Sequence, residues 1–235
     1  MAVSSGRGRV ETVYARGVEA QSEKPGPGSG PEEQPHESRF AEALALACGR
    51  GPRYIESMEY VALLRGVNVG VSGRIDMKEL TAVFEAAGMT SARTYINSGN
   101  VIFASDVPDR ATIAHLLEEA IEARFGLAVP VLVRSVDEVR SVVGALPGDW
   151  ANDQTNKCDV FFLWDEADRP SILDRLDFNP EIEDVRYTPG AVIRRVDRKN
   201  ASRSKLTRVV GTPLYRQMTI RNCNTARKLL ELMGG

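Results

Sequence analysis

Two cations that flank a serine are the residues best placed to do chemistry in this chain. Arg203, Ser204 and Lys205 stand where the pattern predicts the first turn of a helix over residues 202–210. Cations there oppose the helix dipole, so they cost stability unless an anion binds. Backbone N–H groups, the Ser204 hydroxyl and the two cations would together bind a phosphate or a carboxylate. The simpler alternative is a solvated basic turn.

Two further segments also place an arginine beside groups that could bind an anion. Arg221 and Asn222 lie just before Asn224, which is predicted to cap the terminal helix. Arg65 follows an apolar strand over residues 60–64 and opens a loop in which glycines bracket Asn68. Glycines allow backbone N–H groups to approach an anion closely, and arginine recognises oxyanions with two parallel hydrogen bonds. A plain turn with a solvated strand end is the alternative.

Covalent catalysis is weakly supported. Ser202 and Lys205 have the Ser-x-x-Lys spacing of penicillin-recognising enzymes, but the companion motifs of those enzymes are absent. Cys223 near a predicted helix start would favour a thiolate, yet no base accompanies it. His36 lies in the N-terminal segment and His115 on a helix. If the protein is an enzyme, the pattern favours electrostatic stabilisation, with Lys205 the best candidate for proton transfer.

Composition excludes several classes of protein. The 30 basic and 32 acidic residues nearly balance, so no global field favours nucleic acid or an anionic membrane. Cys48, Cys158 and Cys223 are odd in number, widely spaced and without Cys-x-x-Cys, which disfavours a disulfide framework and a zinc site. The acidic residues 165–168 are typical of a helix entry rather than a metal site. We expect no metal, no cofactor, no membrane span and no signal peptide, and the cytoplasm is the simplest compartment.

The N-terminal segment, residues 1–57, differs from the remainder. Proline and glycine alternate there among Glu, Ser and Gln, which predicts disorder. Met58 immediately precedes the first strand, and this suggests that translation starts at Met58 and that the upstream segment is a mis-called extension. The intact mass of the native protein would decide between Met1 and Met58.

The remaining periodicity predicts an α+β protein of two tandem ferredoxin-like (α-β plait) subdomains. Residues 58–146 have the order β-α-β-β-α-β with a trailing helix, and residues 147–235 repeat that order with one added helix. In the first half, strands are expected over residues 92–97 and 100–104, joined by a two-residue turn at Ser98-Gly99. In the second half a short helix over residues 170–176 is expected.

Four segments resemble the signature motifs of an uncharacterised bacterial family, domain of unknown function (DUF) 1697. They are Leu-Leu-Arg-Gly-Val-Asn-Val-Gly at 63–70, Arg-Thr-Tyr-Ile-Asn-Ser-Gly-Asn-Val at 93–101, Arg-Ser-Lys-Leu-Thr at 203–207 and Arg-Asn-Cys-Asn-Thr at 221–225. The resemblance covers the chain from about Met58 and implies a compact cytoplasmic α+β protein without an established activity. The chain departs from the family pattern at Ala201-Ser202, where a glycine is usual, and at Cys223, where a tryptophan is usual.

These patterns predict a protein that binds a phosphorylated or other anionic small molecule in a cleft between its two halves. One alternative is a non-enzymatic protein-interaction module. A second is a nucleic-acid-binding plait, although Phe103 alone is not a stacking platform. A shared ligand requires the four motif loops to converge within about 20 Å. The predicted ligand-binding residues are Arg65, Gly66, Asn68, Gly70, Asn97, Ser98, Asn100, Arg203, Ser204, Lys205, Arg221, Asn222 and Asn224.

Overall fold

The computed structural model describes residues 57–68 and 75–234. The predicted disorder of the N-terminal segment and the role of Gly70 therefore lie outside the described residues, as does the choice between Met1 and Met58. All described residues fall in one contact unit of the chain. Among them, no helix is both long and apolar enough to cross a membrane.

The first half of the described chain forms a four-stranded antiparallel sheet with two helices on one face. Its elements are β1 (Met58–Leu64), α1 (Met77–Ala86), β2 (Thr90–Thr94), β3 (Asn100–Ser105), α2 (Arg110–Phe125) and β4 (Val131–Ser135). The strand order in the sheet is β2-β3-β1-β4. Side chains cap the start of both helices, because the carboxylates of Asp76 and Asp109 accept N–H groups of the first turn.

The chain next forms α3 (Val136–Gly144), the trailing helix of the first half, which starts in a capping box formed by Ser135 and Glu138. It continues through β5 (Asn156–Leu163), β6 (Glu183–Thr188), β7 (Ala191–Asp197), β8 (Met218–Asn222) and α4 (Cys223–Leu232). These strands form a second antiparallel sheet in the order β6-β7-β5-β8. The protein is thus α+β, and its two sheets have the same order of strands along the chain.

Short 3-10 segments replace the helices expected over residues 170–176 and 202–210, whereas the terminal helix forms as α4. Such turns occupy Asp165–Ala167, Pro170–Arg175, Arg198–Arg203, Leu206–Val209 and Pro213–Gln217. The predicted helix over residues 202–210 is wrong: Ser204 has an extended backbone between two 3-10 turns, because its hydroxyl is committed to a buried ion cluster. No α-helix dipole therefore acts on Arg203 and Lys205, and that argument for an anion site fails.

Two other local predictions need correction. Asn222, and not Asn224, is the N-cap of α4: its side chain accepts the Thr225 N–H at 2.8 Å. Asn224 binds the backbone of Asn152 instead. The β2–β3 connection spans residues 95–99 rather than two residues, and Ile96 and Gly99 take left-handed conformations within it.

Alternating residues of β1 and β5 face different cores, so both strands are buried on both sides. Tyr60 and Leu64 pack beneath α1 and α2. Val61 and Leu63 face a second core that they share with α3, α4 and β5. The opposite face of β5 packs against the 3-10 segments. The halves therefore share the second of these cores, and burial on both sides explains the apolar runs at residues 60–64 and 160–163 of the two central strands.

Candidate functional site

Arg221 joins the two halves of the described chain. It lies on β8 and is 8% exposed. Its Nη2 donates to the carbonyl oxygens of Leu64 (2.9 Å) and Gly99 (3.2 Å), and its Nε donates to Asn100 Oδ1. These three acceptors belong to the ends of β1 and β3 in the first half. Arg221 therefore holds the end of the first sheet against the second, and we call this set of contacts the joint between the halves.

All the acceptors around Arg221 are neutral oxygens. Nη1 donates to Thr219 Oγ1 (3.0 Å) and to the Ile220 carbonyl (2.9 Å). Burial lowers the pKa of Arg221 to about 10, because desolvation penalises the charged form. The guanidinium is still charged at neutral pH, and its N–H groups are occupied by protein acceptors.

Arg65 makes a second contact between the halves. Its Nη1 donates to the carbonyl of Arg216. The guanidinium carbon lies 5.3 Å from the centre of the Trp164 ring and 6.0 Å from that of Tyr215. Burial is the main cause that lowers the pKa of Arg65. The side chain is half-buried and packs between aromatic rings, a common use of a planar cation.

Asn68 connects two loops of the first half. It has a left-handed backbone (φ 56°), and Gly66 before it does too (φ 74°). Its Nδ2 donates to the carbonyls of Ile75 (3.1 Å) and Asn97 (3.0 Å), while its Oδ1 accepts the Ile75 N–H (2.9 Å). The Asn68 amide group thus makes three hydrogen bonds, all of them to backbone groups of Ile75 and Asn97.

The loop that carries Ser98 and Asn100 is fixed in the same way. The fully buried Asn100 donates from Nδ2 to Ser98 Oγ (2.9 Å) and to the Tyr95 carbonyl (3.1 Å). Gly99 has φ 69°, and a Cβ there would lie 2.8 Å from Leu64 Cβ. Only glycine fits this close approach of the loop to the end of β1.

The Arg-Ser-Lys segment lies over a buried ion cluster in the second sheet. Ser204 donates its hydroxyl to Glu183 Oε1 (2.5 Å) and accepts from Arg194 Nη2 (2.9 Å). Arg194 also pairs with Asp159 (2.9 Å) and Glu183 (3.2 Å). The Lys205 backbone N–H donates to Glu183 Oε2 (3.2 Å). Desolvation raises the pKa of Asp159 in spite of these cations.

Exposed cations line a cavity next to this cluster. Its volume is about 470 Å³, and it lies between the 3-10 segments of the second half. Arg175, Lys205 and Arg208 contribute three positive charges, against one carboxylate from Asp177. Lys205 Nζ is 3.4 Å from Asp177, but both side chains are well exposed. Leu176, Val209, Pro213 and Leu214 supply apolar wall.

Three of the four predicted motif segments meet at the joint between the halves. Residues 63–68, 93–101 and 221–225 are linked there through Arg221 and Asn68. The contacts of the fourth segment are to the ion cluster, the cavity and, for the exposed Arg203, Asn200 at 3.5 Å. A ligand role for the predicted residues stays a prediction.

The sequence interpretation missed Arg175 and Arg208 as cavity residues. Arg208 lies three positions after Lys205, and this short basic spacing was the one available signal. Arg175 and Asp177 come from a distant 3-10 segment that no local pattern connects to it. Within the described residues, no three His, Cys, Asp or Glu side chains are grouped as metal ligands.

Comparison with known proteins supports the fold and the family. No curated protein matches the chain. A solved structure, described as conserved bacterial protein SP0830 from Streptococcus pneumoniae, matches with a TM-score of 0.64 and 23% identity, covering 75% of this chain and 99% of that chain. The model of the family described as "Protein of unknown function (DUF1697)" matches residues 58–193, more than half of the chain. This match includes the first two motif segments, and the chain therefore belongs to the DUF1697 family.

Proposed function

We propose that the protein binds a phosphorylated or otherwise anionic small molecule in the cavity beside Lys205. The observation that carries the proposal is the imbalance of charge there, three exposed cations against one carboxylate around about 470 Å³. A volume of this size is typical of a small-molecule site. This location lies within the second half, and not at the joint between the halves where the sequence predicts the ligand.

The side chains of the cavity suit an anion with an apolar portion. Arg175 and Arg208 offer planar donors to oxyanions, and Lys205 offers a point charge. Arg175 has one N–H on Gln217 Oε1 (3.1 Å) and further N–H groups for a ligand. The ion pair between Lys205 and Asp177 is exposed, so an incoming anion can replace it at a cost of no more than about 1 kcal/mol.

Titration with pyrophosphate tests the proposal. The full chain is titrated calorimetrically, with sodium chloride of equal ionic strength as the reference. Saturable binding at one site is expected, and at 100 times the dissociation constant it would stabilise the fold by about 2.7 kcal/mol. The absence of saturable pyrophosphate binding above the chloride reference would contradict the proposal.

Three variants test whether the charges that line the cavity determine the affinity for pyrophosphate. Lys205→Gln should weaken pyrophosphate binding about two- to tenfold, and Asp177→Asn should strengthen it about two- to fivefold. Lys199→Gln is the matched control, because Lys199 is also exposed and pairs with Asp197 at 3.4 Å, outside the cavity. If Lys199→Gln weakens binding as much as Lys205→Gln, only the overall charge matters and the site is wrong.

We also infer that each half is an α-β plait. The supporting observation is the strand order, β2-β3-β1-β4 and β6-β7-β5-β8, with the first strand of each half second from one edge. In the second half, 3-10 segments occupy the connections that carry α-helices in the first half. An experimental structure with another strand order, or with parallel neighbours, in the sheet of the second half would contradict this inference.

A further inference from the structure

Two cysteines from distant parts of the chain face each other in the core shared by the halves. The last pair in the register of β5 and β8 is Asp159 opposite Asn222, and Cys158 and Cys223 are the residues that directly adjoin this pair, Cys223 as the first residue of α4. Both thiols are fully buried, and both belong to the same apolar cluster. Because Asp159 and Asn222 are directly opposed, with Cα atoms about 4.5–5.5 Å apart, the cysteines next to them are brought close to the separation that a disulfide spans.

The two thiols also interact directly. The neighbouring Cys158 side chain is the main cause that lowers the pKa of Cys223 to about 7, and the Arg227 cation acts in the same direction. The Cys223 side chain, together with burial, raises the pKa of Cys158. As a thiol, Cys223 faces the Trp150 carbonyl (3.7 Å) and Asn224 Oδ1 (3.4 Å). Cys223 is therefore the thiol that loses its proton first.

We propose that Cys158 and Cys223 are a redox-active pair that forms a reversible disulfide on exposure to a peroxide. The Cys223 thiolate attacks one peroxide oxygen, forms a sulfenic acid and, with the proton it released, expels one water from hydrogen peroxide. The Cys158 sulfur then attacks the Cys223 sulfur, its proton leaves with the hydroxyl group, and a second water is released. In total, two thiols lose two electrons and two protons, and the peroxide is reduced to two waters.

The position of the pair gives the disulfide a structural consequence. It would connect β5 to the first residue of α4, two elements that line the core shared by both halves. The 64 residues between the cysteines would become a closed loop, which restricts the unfolded chain. The oxidised protein should therefore unfold at a higher temperature than the reduced protein. This inference is independent of the anion cavity.

Peptide mapping of the full chain tests the proposal directly. After treatment with hydrogen peroxide and alkylation of the remaining thiols, mass spectrometry should find a peptide pair linked through Cys158 and Cys223 and lighter by two hydrogens. Dithiothreitol should remove this link. Finding both cysteines reduced, or Cys223 sulfinic with Cys158 still a thiol, would overturn the proposal.

Two variants separate the roles of the thiols. Cys158→Ala should leave a Cys223 sulfenic acid that a 1,3-dione reagent traps, whereas Cys223→Ala should greatly slow oxidation at Cys158. Cys48→Ser is the control, and the 158–223 link should form in it at the parental rate. Because mapping of the parent needs no substitution, the proposal can fail even if the core variants do not fold. Equal sulfenic acid trapping in both alanine variants would contradict the assignment of Cys223 as the attacking thiol.

Discussion

Replacing Arg221 by methionine should separate the contribution of the joint from that of the shared core. The variant keeps an unbranched apolar stem and removes five hydrogen bonds, of which three cross between the halves. It leaves Oδ1 of the fully buried Asn100 without its arginine donor. Because the side chain points at neutral acceptors, no carboxylate is left unpaired in exchange.

The expected loss of stability follows from two opposed effects. A hydrogen bond from a charged donor contributes about 1.5–3 kcal/mol, and three such bonds cross between the halves, so the gross loss is roughly 5–9 kcal/mol. Removing a buried cation recovers a desolvation penalty of several kcal/mol. We therefore expect Arg221→Met to lower the free energy of unfolding by about 2–5 kcal/mol. Arg221→Lys should lose nearly as much, since one ammonium cannot reach acceptors spread around a planar guanidinium.

Urea unfolding followed by tryptophan fluorescence measures this loss, because Trp150 and Trp164 both lie against the joint or the shared core. Arg203→Met is the control: Arg203 is exposed, and its loss should cost no more than about 0.5 kcal/mol. A double-mutant cycle with Asn100→Ala should give a coupling of at least about 1 kcal/mol. Parental stability of Arg221→Met, or zero coupling with Asn100, would refute the assignment of Arg221 as a joint.

Two smaller predictions concern the loops around the sheets. Gly99→Ala should lower the free energy of unfolding by about 2–5 kcal/mol, because a side chain there is strained by the left-handed backbone and its Cβ would lie 2.8 Å from Leu64 Cβ. The control is Gly126→Ala, where φ is 66° but the space is open, and it should lower the free energy of unfolding by only about 1–2 kcal/mol. Equal losses in thermal unfolding would contradict the packing argument. Asp153 accepts the N–H groups of Thr155 and Asn156, and these bonds lower its pKa. A carboxyl group whose pKa is lowered in the folded state stabilises the fold above its ordinary pKa of about 4, and this effect is lost as the pH falls. In urea unfolding, Asp153→Asn should therefore be less stable than the parent at pH 7, and the difference should shrink towards pH 3. A difference that is constant with pH would contradict this prediction.

The elements that the sequence predicts well are those whose signals are local. The caps at Asp76, Asp109 and Ser135, and the apolar stripes that follow them, depend on residues three or four positions apart. The helix expected over residues 202–210 failed because Ser204 is held by Glu183 and Arg194, which are 21 and 10 positions away. A capping pattern contains no information about a buried ion pair that competes for the same hydroxyl.

The lack of information about partners that are distant in the sequence also affects the ligand site that the sequence predicts at Arg221. An arginine at the end of a strand needs oxygen acceptors, and the sequence does not distinguish a phosphate from carbonyls at the ends of neighbouring strands. Arg221 finds such carbonyls at Leu64 and Gly99, because the first sheet ends there.

The backbone of Lys205 is held over the buried cluster by Glu183, while its exposed side chain lines the cavity and pairs with Asp177. Ordered backbone beneath an exposed cation keeps the charge in place at a small entropic cost, and this is what a preorganised anion site requires. Cations such as Arg221 with every strong donor occupied by protein are therefore poor ligand candidates, and exposed cations on an ordered backbone are better ones. By this criterion Lys205, Arg208 and Arg175 are the first positions to test for a ligand.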